Sequence, residues 1–270
     1  MFARSVQPDT VSLFSSTGSH PLGLFSIQVD SSLTSDSFVH LLNDTTSLPS
    51  PPPPAALISV PSVYRGQDND TSQGRELSQT VLHIQSPTLQ KTFIRCPPLT
   101  SHVAWGGKDL GLKHTRLHIQ VRDLGRDWSF EVGIVDKVGR QGIIRCSTFQ
   151  KSPKLLRNRN FGAPPLLHLP LAFPPSSSSP LTAWSTITLY LPNFVPRFAS
   201  LSHSQTSSEY AQDTNPTERG SSSTQVPLPG GMYSHLAFIK IYATCRVRRV
   251  WLSDSAPITR TPWEFELYGN

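Results

Sequence analysis

The stretch that decides the fold lies at residues 235–254 and reads HLAFIKIYATCRVRRVWLSD. In its first half two sets of side chains alternate with a period of two, and aromatic and β-branched residues are frequent, which predicts a β-strand. The side chains predicted to share one face are Leu236, Phe238, Lys240 and Tyr242. The apolar run 250–252 predicts a second strand. Arg246, Arg248 and Arg249 fall between the two runs, so the pattern predicts a basic cluster at a junction between strands.

Similar short apolar runs occur along the rest of the chain. They predict strands at residues 22–29, 80–85, 91–96, 116–121, 128–136, 142–148, 184–191 and 263–268, with an edge strand at 166–173. Gly139 is placed to take a positive φ in a turn at residues 137–140. Only residues 193–199 favour a helix, as a single turn. Some ten strands without intervening helices predict an all-β fold, a single antiparallel β-sandwich of jelly-roll type.

Low-complexity segments interrupt these strands at three places. They lie near residues 43–75, 174–181 and 202–232 and are rich in Ser, Thr and Pro. Four consecutive prolines, at positions 51–54, favour an extended conformation without strand pairing. We therefore expect one domain over residues 1–270 that carries long disordered loops.

The chain is basic, and its charge is unevenly distributed. Lysine and arginine number 24 against 18 acidic residues, which gives a formal net charge of +6. Residues 137–208 contain no Asp or Glu at all. This composition fits either a solvated basic surface or a docking face for an acidic partner.

The residues give no support for an enzyme. No nucleophile elbow is present, and no two carboxylates are held at a fixed separation. His114 and His118 lie four residues apart in a predicted strand, which places them about 13 Å apart, too far for one metal ion. Three widely spaced cysteines predict buried thiols in a reducing compartment. We expect no cofactor, metal, small-molecule substrate, secretory signal or membrane span.

Two basic groups are the candidate partner-binding residues. One is the arginine cluster, and the other is a loop at residues 151–160. The candidates are Arg246, Arg248, Arg249, Lys151, Lys154, Arg157 and Arg159. A structural alternative for the arginines is ion pairing with Asp254 or Glu264.

Several motifs in this order resemble the cilia- and flagella-associated protein 20 family. Residues 239–254 are similar to an IxIxAxCRxRRVxxSD pattern, and residues 264–268 to an EFxLY ending. Residues 18–22 match GSxPL, and residues 110–113 read LGLK.

The resemblance implies a jelly-roll-like sandwich with a non-enzymatic role. It implies a place at the inner junction of ciliary doublet microtubules, beside a parkin-co-regulated protein, with basal bodies, centrioles and the nucleus as further locations. The expected partners are tubulin and inner-junction proteins. The alternative is a cytoplasmic or nuclear module that binds protein or nucleic acid in an organism without cilia; a carbohydrate-binding module ranks third.

Overall fold

Strands dominate the part of the chain that the structure describes. The computed structural model describes residues 6–49, 79–99, 109–157, 163–173, 184–209 and 227–254. The strands are β1 (Thr10–Ser15), β2 (Ser26–Gln28), β3 (Phe38–Asn43), β4 (Thr80–Gln85), β5 (Phe93–Cys96), β6 (Arg116–Asp123), β7 (Ser129–Asp136), β8 (Gln141–Ser147), β9 (Lys154–Leu156), β10 (Leu166–Pro170), β11 (Trp184–Tyr190), β12 (Tyr233–Tyr242) and β13 (Cys245–Ser253). A 3-10 turn, Leu191–Phe194, leads into the helix α1 (Val195–Glu209).

These strands form two packed sheets. The six-stranded sheet has the order β11-β6-β13-β4-β3, and β1 also pairs with β13. The seven-stranded sheet has the order β2-β5-β12-β7-β8-β10-β9. All pairs are antiparallel except β8 with β10. The predicted all-β sandwich is confirmed; the extent of the domain, 1–270, stays a prediction.

The core lies between the two sheets and follows the alternation of each strand. In β12 the side chains of Ile239 and Ile241 are fully buried, and in β13 those of Val247 and Val250 are. A register shift between Val247 and Arg249 lets two residues three apart face the same core, as a β-bulge does. The side chains that alternate with these core residues in β12 and β13 therefore point to the outer faces of the two sheets.

The structure corrects the interpretation of residues 235–254. The three arginines lie within β13 and not at a junction between strands, since β13 already begins at Cys245. The turn between the strands is the short Ala243–Thr244 segment. A register shift between Leu236 and Phe238 also places Leu236 in the core, whereas Phe238, Lys240 and Tyr242 share the outer face as predicted.

Other differences between prediction and structure occur where polar stretches of sequence form strands or part of a helix. β3 lies just before the insertion expected at 43–75, where no strand was predicted, and β9 lies in the predicted basic loop. The strand predicted at 22–29 reduces to β2, and β1 precedes it. β10 is not an edge strand, because β9 pairs with its outer side. Within the segment predicted as an insertion at 202–232, α1 continues to Glu209 and residues 227–232 are described; the extent of the insertion stays a prediction.

The helix α1 is longer than the single turn that the sequence predicted. Pro196 does not end the helix, because it lies in the first turn, where no helical hydrogen bond needs its N–H. Val195 and Phe198 anchor the helix, with 1% and 0% of their surface exposed.

Two local predictions are confirmed. Gly139 has a φ of 83° in the β7–β8 turn. Cys96, Cys146 and Cys245 are free and buried, and burial raises the pKa of the Cys96 and Cys146 thiols to about 12. No helix in the described ranges is long and apolar enough to span a membrane.

Candidate partner-binding surface

Arg246 is enclosed by residues of its own chain. It is 7% exposed on the outer face of the six-stranded sheet. Its Nη1 donates to the Asp44 carboxylate at 2.8 Å and to the Asp44 carbonyl oxygen at 2.6 Å. Its Nη2 donates to the Ser47 hydroxyl at 2.6 Å, and its Nε donates to His83 Nδ1 at 3.2 Å. All three guanidinium nitrogens are therefore used inside the molecule.

Asp44 is the centre of this buried network. Its side chain has no exposed surface. Besides Arg246, it accepts hydrogen bonds from Arg122 Nη1 at 3.0 Å and from Trp184 Nε1 at 2.7 Å. A carboxylate this deeply buried is tolerated only when it is paired and hydrogen-bonded, as here. Asp44 thus connects the end of β3 to β6, β11 and β13.

Arg248 is buried in a similar way, 8% exposed. Its Nε donates to Gln79 Oε1 at 3.1 Å, and its Nη1 donates to Gln120 Oε1 at 2.7 Å. Arg249 is half-buried and pairs in register with Ser15 and Gln120. Partner binding by these arginines stays a prediction, and Arg246 and Arg248 have little exposed surface with which to make such a contact.

For Arg246 and Arg248 the structure shows partners other than the Asp254 suggested from the sequence. Asp254 is occupied by other groups, because its Oδ1 accepts from the Thr115 N–H at 2.8 Å and its carbonyl oxygen accepts from Arg116 at 3.0 Å. Arg246 bonds instead to Asp44, and Arg248 to glutamine side chains. Glu264 lies outside the described residues.

The basic segment at residues 151–157 has the opposite character. Lys151, Lys154 and Arg157 are all exposed, on or beside β9 at the edge of the seven-stranded sheet. Arg157 Nη2 donates to the Ser202 hydroxyl in α1. Arg159 lies outside the described residues. Partner binding by this segment stays a prediction.

Lys154 is the end of a row of polar side chains that crosses the whole outer face of the seven-stranded sheet. Successive cross-strand partners along this row are Ser26, Arg95, Lys240, Glu131, Arg145, His168 and Lys154. We call these seven residues the outer row. It contains four cations and one carboxylate, and that carboxylate binds Arg145, whose Nε lies 2.8 Å from Glu131 Oε1.

Aromatic rings support two of these cations. The Arg95 guanidinium lies 4.1 Å from the centroid of the Phe238 ring. Lys240 Nζ lies 3.7 Å from the centroid of Phe93 and 4.4 Å from that of Tyr242. Such contacts stabilise a cation without neutralising it. Burial, with a smaller contribution from the Arg95 and Arg145 charges, lowers the pKa of Lys240 to about 8, and burial also lowers the pKa of Arg95.

Sequence reasoning missed the outer row because its members are far apart in the chain. Each strand carries one polar residue between apolar ones, for example Arg95 in FIRC and Arg145 in GIIRC. This alternation could have assigned them to outer faces. Their alignment depends on strand order and register, which no local pattern specifies.

The two histidines that lie four residues apart, His114 and His118, contact groups of their own chain. His114 is 1% exposed, and its Nε2 lies 2.7 Å from the Pro8 carbonyl oxygen. His118 contacts the hydroxyls of Thr188 and Ser253, each at 2.9 Å, and stacks on Trp251. Within the described ranges, no group of three or more His, Cys, Asp and Glu side chains is placed to hold a metal ion.

The fold and this surface define a class of protein: a two-sheet β-sandwich with a basic row across one outer face. Residues 59–208 match the family model of the CFA20 domain. Because that match covers more than half of the chain, the protein belongs to the CFA20-domain family, which confirms the resemblance seen in its motifs. The chain is 23% identical over 194 residues to "Cilia- and flagella-associated protein 20" of Chlamydomonas reinhardtii, with 72% of this chain and 76% of that protein covered.

Proposed function

We propose that this protein is a non-enzymatic structural protein of cilia or flagella that binds tubulin by shape and charge complementarity. Its place would be the axoneme, at the inner junction of the doublet microtubules, with the basal body as a second location. Membership of the CFA20-domain family carries the proposal, together with the name of the Chlamydomonas relative. The basic outer row adds a physical reason, since tubulin is acidic.

The outer row suits attachment through many weak contacts. A single exposed ion pair contributes only about 0.2–1 kcal/mol, so stable attachment to an acidic surface needs several cations presented together. The outer row presents four cations on paired strands, whose backbone hydrogen bonds hold them in place. A rigid arrangement of this kind loses little conformational freedom on binding.

Co-sedimentation with purified microtubules tests the proposal. The protein is expected to pellet with microtubules at low salt and to dissociate as salt rises, because screening shortens the reach of its charges to about 10 Å near 0.1 M. A protein that stays in the supernatant at low salt would overturn the proposal. A single-stranded RNA that binds more tightly than microtubules under the same conditions would favour the nucleic-acid alternative.

Localisation provides an independent test in a ciliated cell. A fluorescently tagged copy is expected along the axoneme and at the basal body. Tagged protein that is absent from cilia and basal bodies in such a cell would contradict the proposal.

A further inference from the structure

We propose that the outer face of the seven-stranded sheet is the docking surface for an extended, glutamate-rich polypeptide segment, which crosses the strands along the outer row. The inference deepens the proposed function and rests on it, because it names the surface and the chemistry of the partner.

The first support is the alignment of the charges. Arg95 pairs with Lys240, Lys240 with Glu131, and Glu131 with Arg145 in the cross-strand register. Lys154 follows beyond His168 on β9. Neighbouring strands lie about 4.8 Å apart, so the cations span about 24 Å from β5 to β9. An extended chain of about seven residues has the same length at about 3.3 Å per residue.

The second support is the excess of positive charge along this row. Glu131 is its single carboxylate, and its short contact is with Arg145. Within the described part of the chain, Lys240 and Lys154 form no ion pair with a carboxylate. Four cations against one carboxylate leave an excess of positive charge, and neighbouring cations such as Arg95 and Lys240 repel each other. A carboxylate-bearing chain is complementary to them.

The third support is the apolar surface at the β9 end of the outer row. Leu156, two residues after Lys154 and therefore on the same face of β9, is 37% exposed. Phe149, just after β8, is 42% exposed and packs edge-on against His168. Exposed apolar side chains beside a polar stripe are typical of protein–protein contacts. They favour a polypeptide over a bare polyanion as the occupant.

A fluorescein-labelled peptide of eight glutamates is the direct probe, with fluorescence anisotropy at low salt as the readout. The variants are K154E, K240Q and the double variant K154E/K240Q. Loss of one exposed ion pair corresponds to a change of about two- to fivefold in affinity, so we expect K240Q to weaken binding by that factor and K154E by more. Lys154 is fully on the surface, so K154E tests the face even if K240Q unfolds.

K113E is the matched control. Lys113 is an exposed lysine outside the seven-stranded sheet, and its reversal changes the net charge as much as K154E does. Peptide affinity for K113E is expected to stay within about twofold of the unmodified protein. An equal loss for K113E and K154E would show general charge attraction and overturn the inference. Tighter binding of an oligouridine to the same residues would overturn it too.

Two combinations of results separate this inference from the proposed function. If K154E pellets with microtubules as well as the unmodified protein does, and the unmodified protein does not bind the peptide, the docking surface is refuted and the proposed function stands. If K154E weakens peptide binding, K113E does not, and the protein fails to pellet with microtubules, the docking surface is supported and tubulin is refuted as its partner.

Discussion

Replacing Asp44 by alanine is expected to destabilise the protein more than any surface substitution. The change leaves the buried guanidinium of Arg246 and that of Arg122 without their shared carboxylate, and the indole N–H of Trp184 without its acceptor. Removing one partner of a buried ion pair costs about 3–5 kcal/mol. For a domain of this size, each kcal/mol lowers the melting temperature by about 2–4 °C, so a decrease of about 6–20 °C follows.

The assay is equilibrium urea unfolding, followed by tryptophan fluorescence and by far-ultraviolet circular dichroism. D44N is a graded variant. It keeps one oxygen for the guanidiniums but turns the other acceptor into an amide donor facing Trp184 Nε1, so a loss of about 2–3 kcal/mol is expected. D36N makes the same chemical change at an exposed position and should stay within about 0.5 kcal/mol of the unmodified protein.

A double-mutant cycle with R246M separates the network from simple packing. If Asp44 and Arg246 stabilise each other, their losses should not add, and the coupling should be about 0.5–3 kcal/mol. An unfolding free energy for D44A within about 1 kcal/mol of the unmodified protein would refute the reasoning. Equal costs of R246M with and without Asp44 would refute it as well.

Three further outcomes follow from particular contacts. G142A should cost about 1–3 kcal/mol in urea unfolding, because its Cβ would lie 2.6 Å from Phe198 Cζ, whereas G230A should be neutral. Burial lowers the pKa of His83 to about 4. The unfolded chain binds that proton first, so stability should fall as pH drops from 6.5 towards 4, by at most about 1.4 kcal/mol per pH unit. Lys240 should ionise near pH 8 in nuclear magnetic resonance titrations, and a glutamate-rich peptide should raise that pKa.

Each of these outcomes has a result that would contradict it. Equal stability of G142A and G230A would show that the Phe198 ring can move aside. H83Q should show a shallower loss of stability on acidification, and an unchanged slope would exclude His83 as its source. The charges of Arg95, Glu131 and Arg145 already act on the pKa of Lys240. If the peptide leaves that pKa unchanged, the peptide does not bind beside this lysine.

Local sequence pattern predicted strands well where one face is apolar over several residues. β4 begins and ends at the predicted residues, 80–85, because Leu82 and Ile84 form one buried apolar face that alternates with His83 and Gln85. β3, with the sequence FVHLLN, was missed because it lies within a long polar segment. The single turn predicted at 193–199 covers only the start of α1; Pro196 does not limit the helix there, because it lies in the first turn.

The charged site was less predictable than the strands, for a physical reason. Asp44 follows β3 in a turn, where no periodicity marks a buried residue, and its partners come from β6, β11 and β13. The alignment of Arg95 with Lys240 likewise depends on the pairing of β5 with β12. Both arrangements are long-range, so a cluster that is visible in sequence, such as the three arginines of β13, is a poor guide to which cations face solvent.

The buried arginine of the six-stranded sheet is enclosed by its own chain, whereas Lys154 of the seven-stranded sheet is exposed to solvent. This difference decides how binding should be tested. In the six-stranded sheet, Arg246 is enclosed and matched by Asp44. Charge reversal there would bury a carboxylate beside Asp44 and act through unfolding, so a loss of binding would not identify a contact. In the seven-stranded sheet, Lys154 is exposed, and its reversal leaves the core intact. Only a loss of binding in K154E, with an unchanged unfolding midpoint, would locate the partner on the basic face.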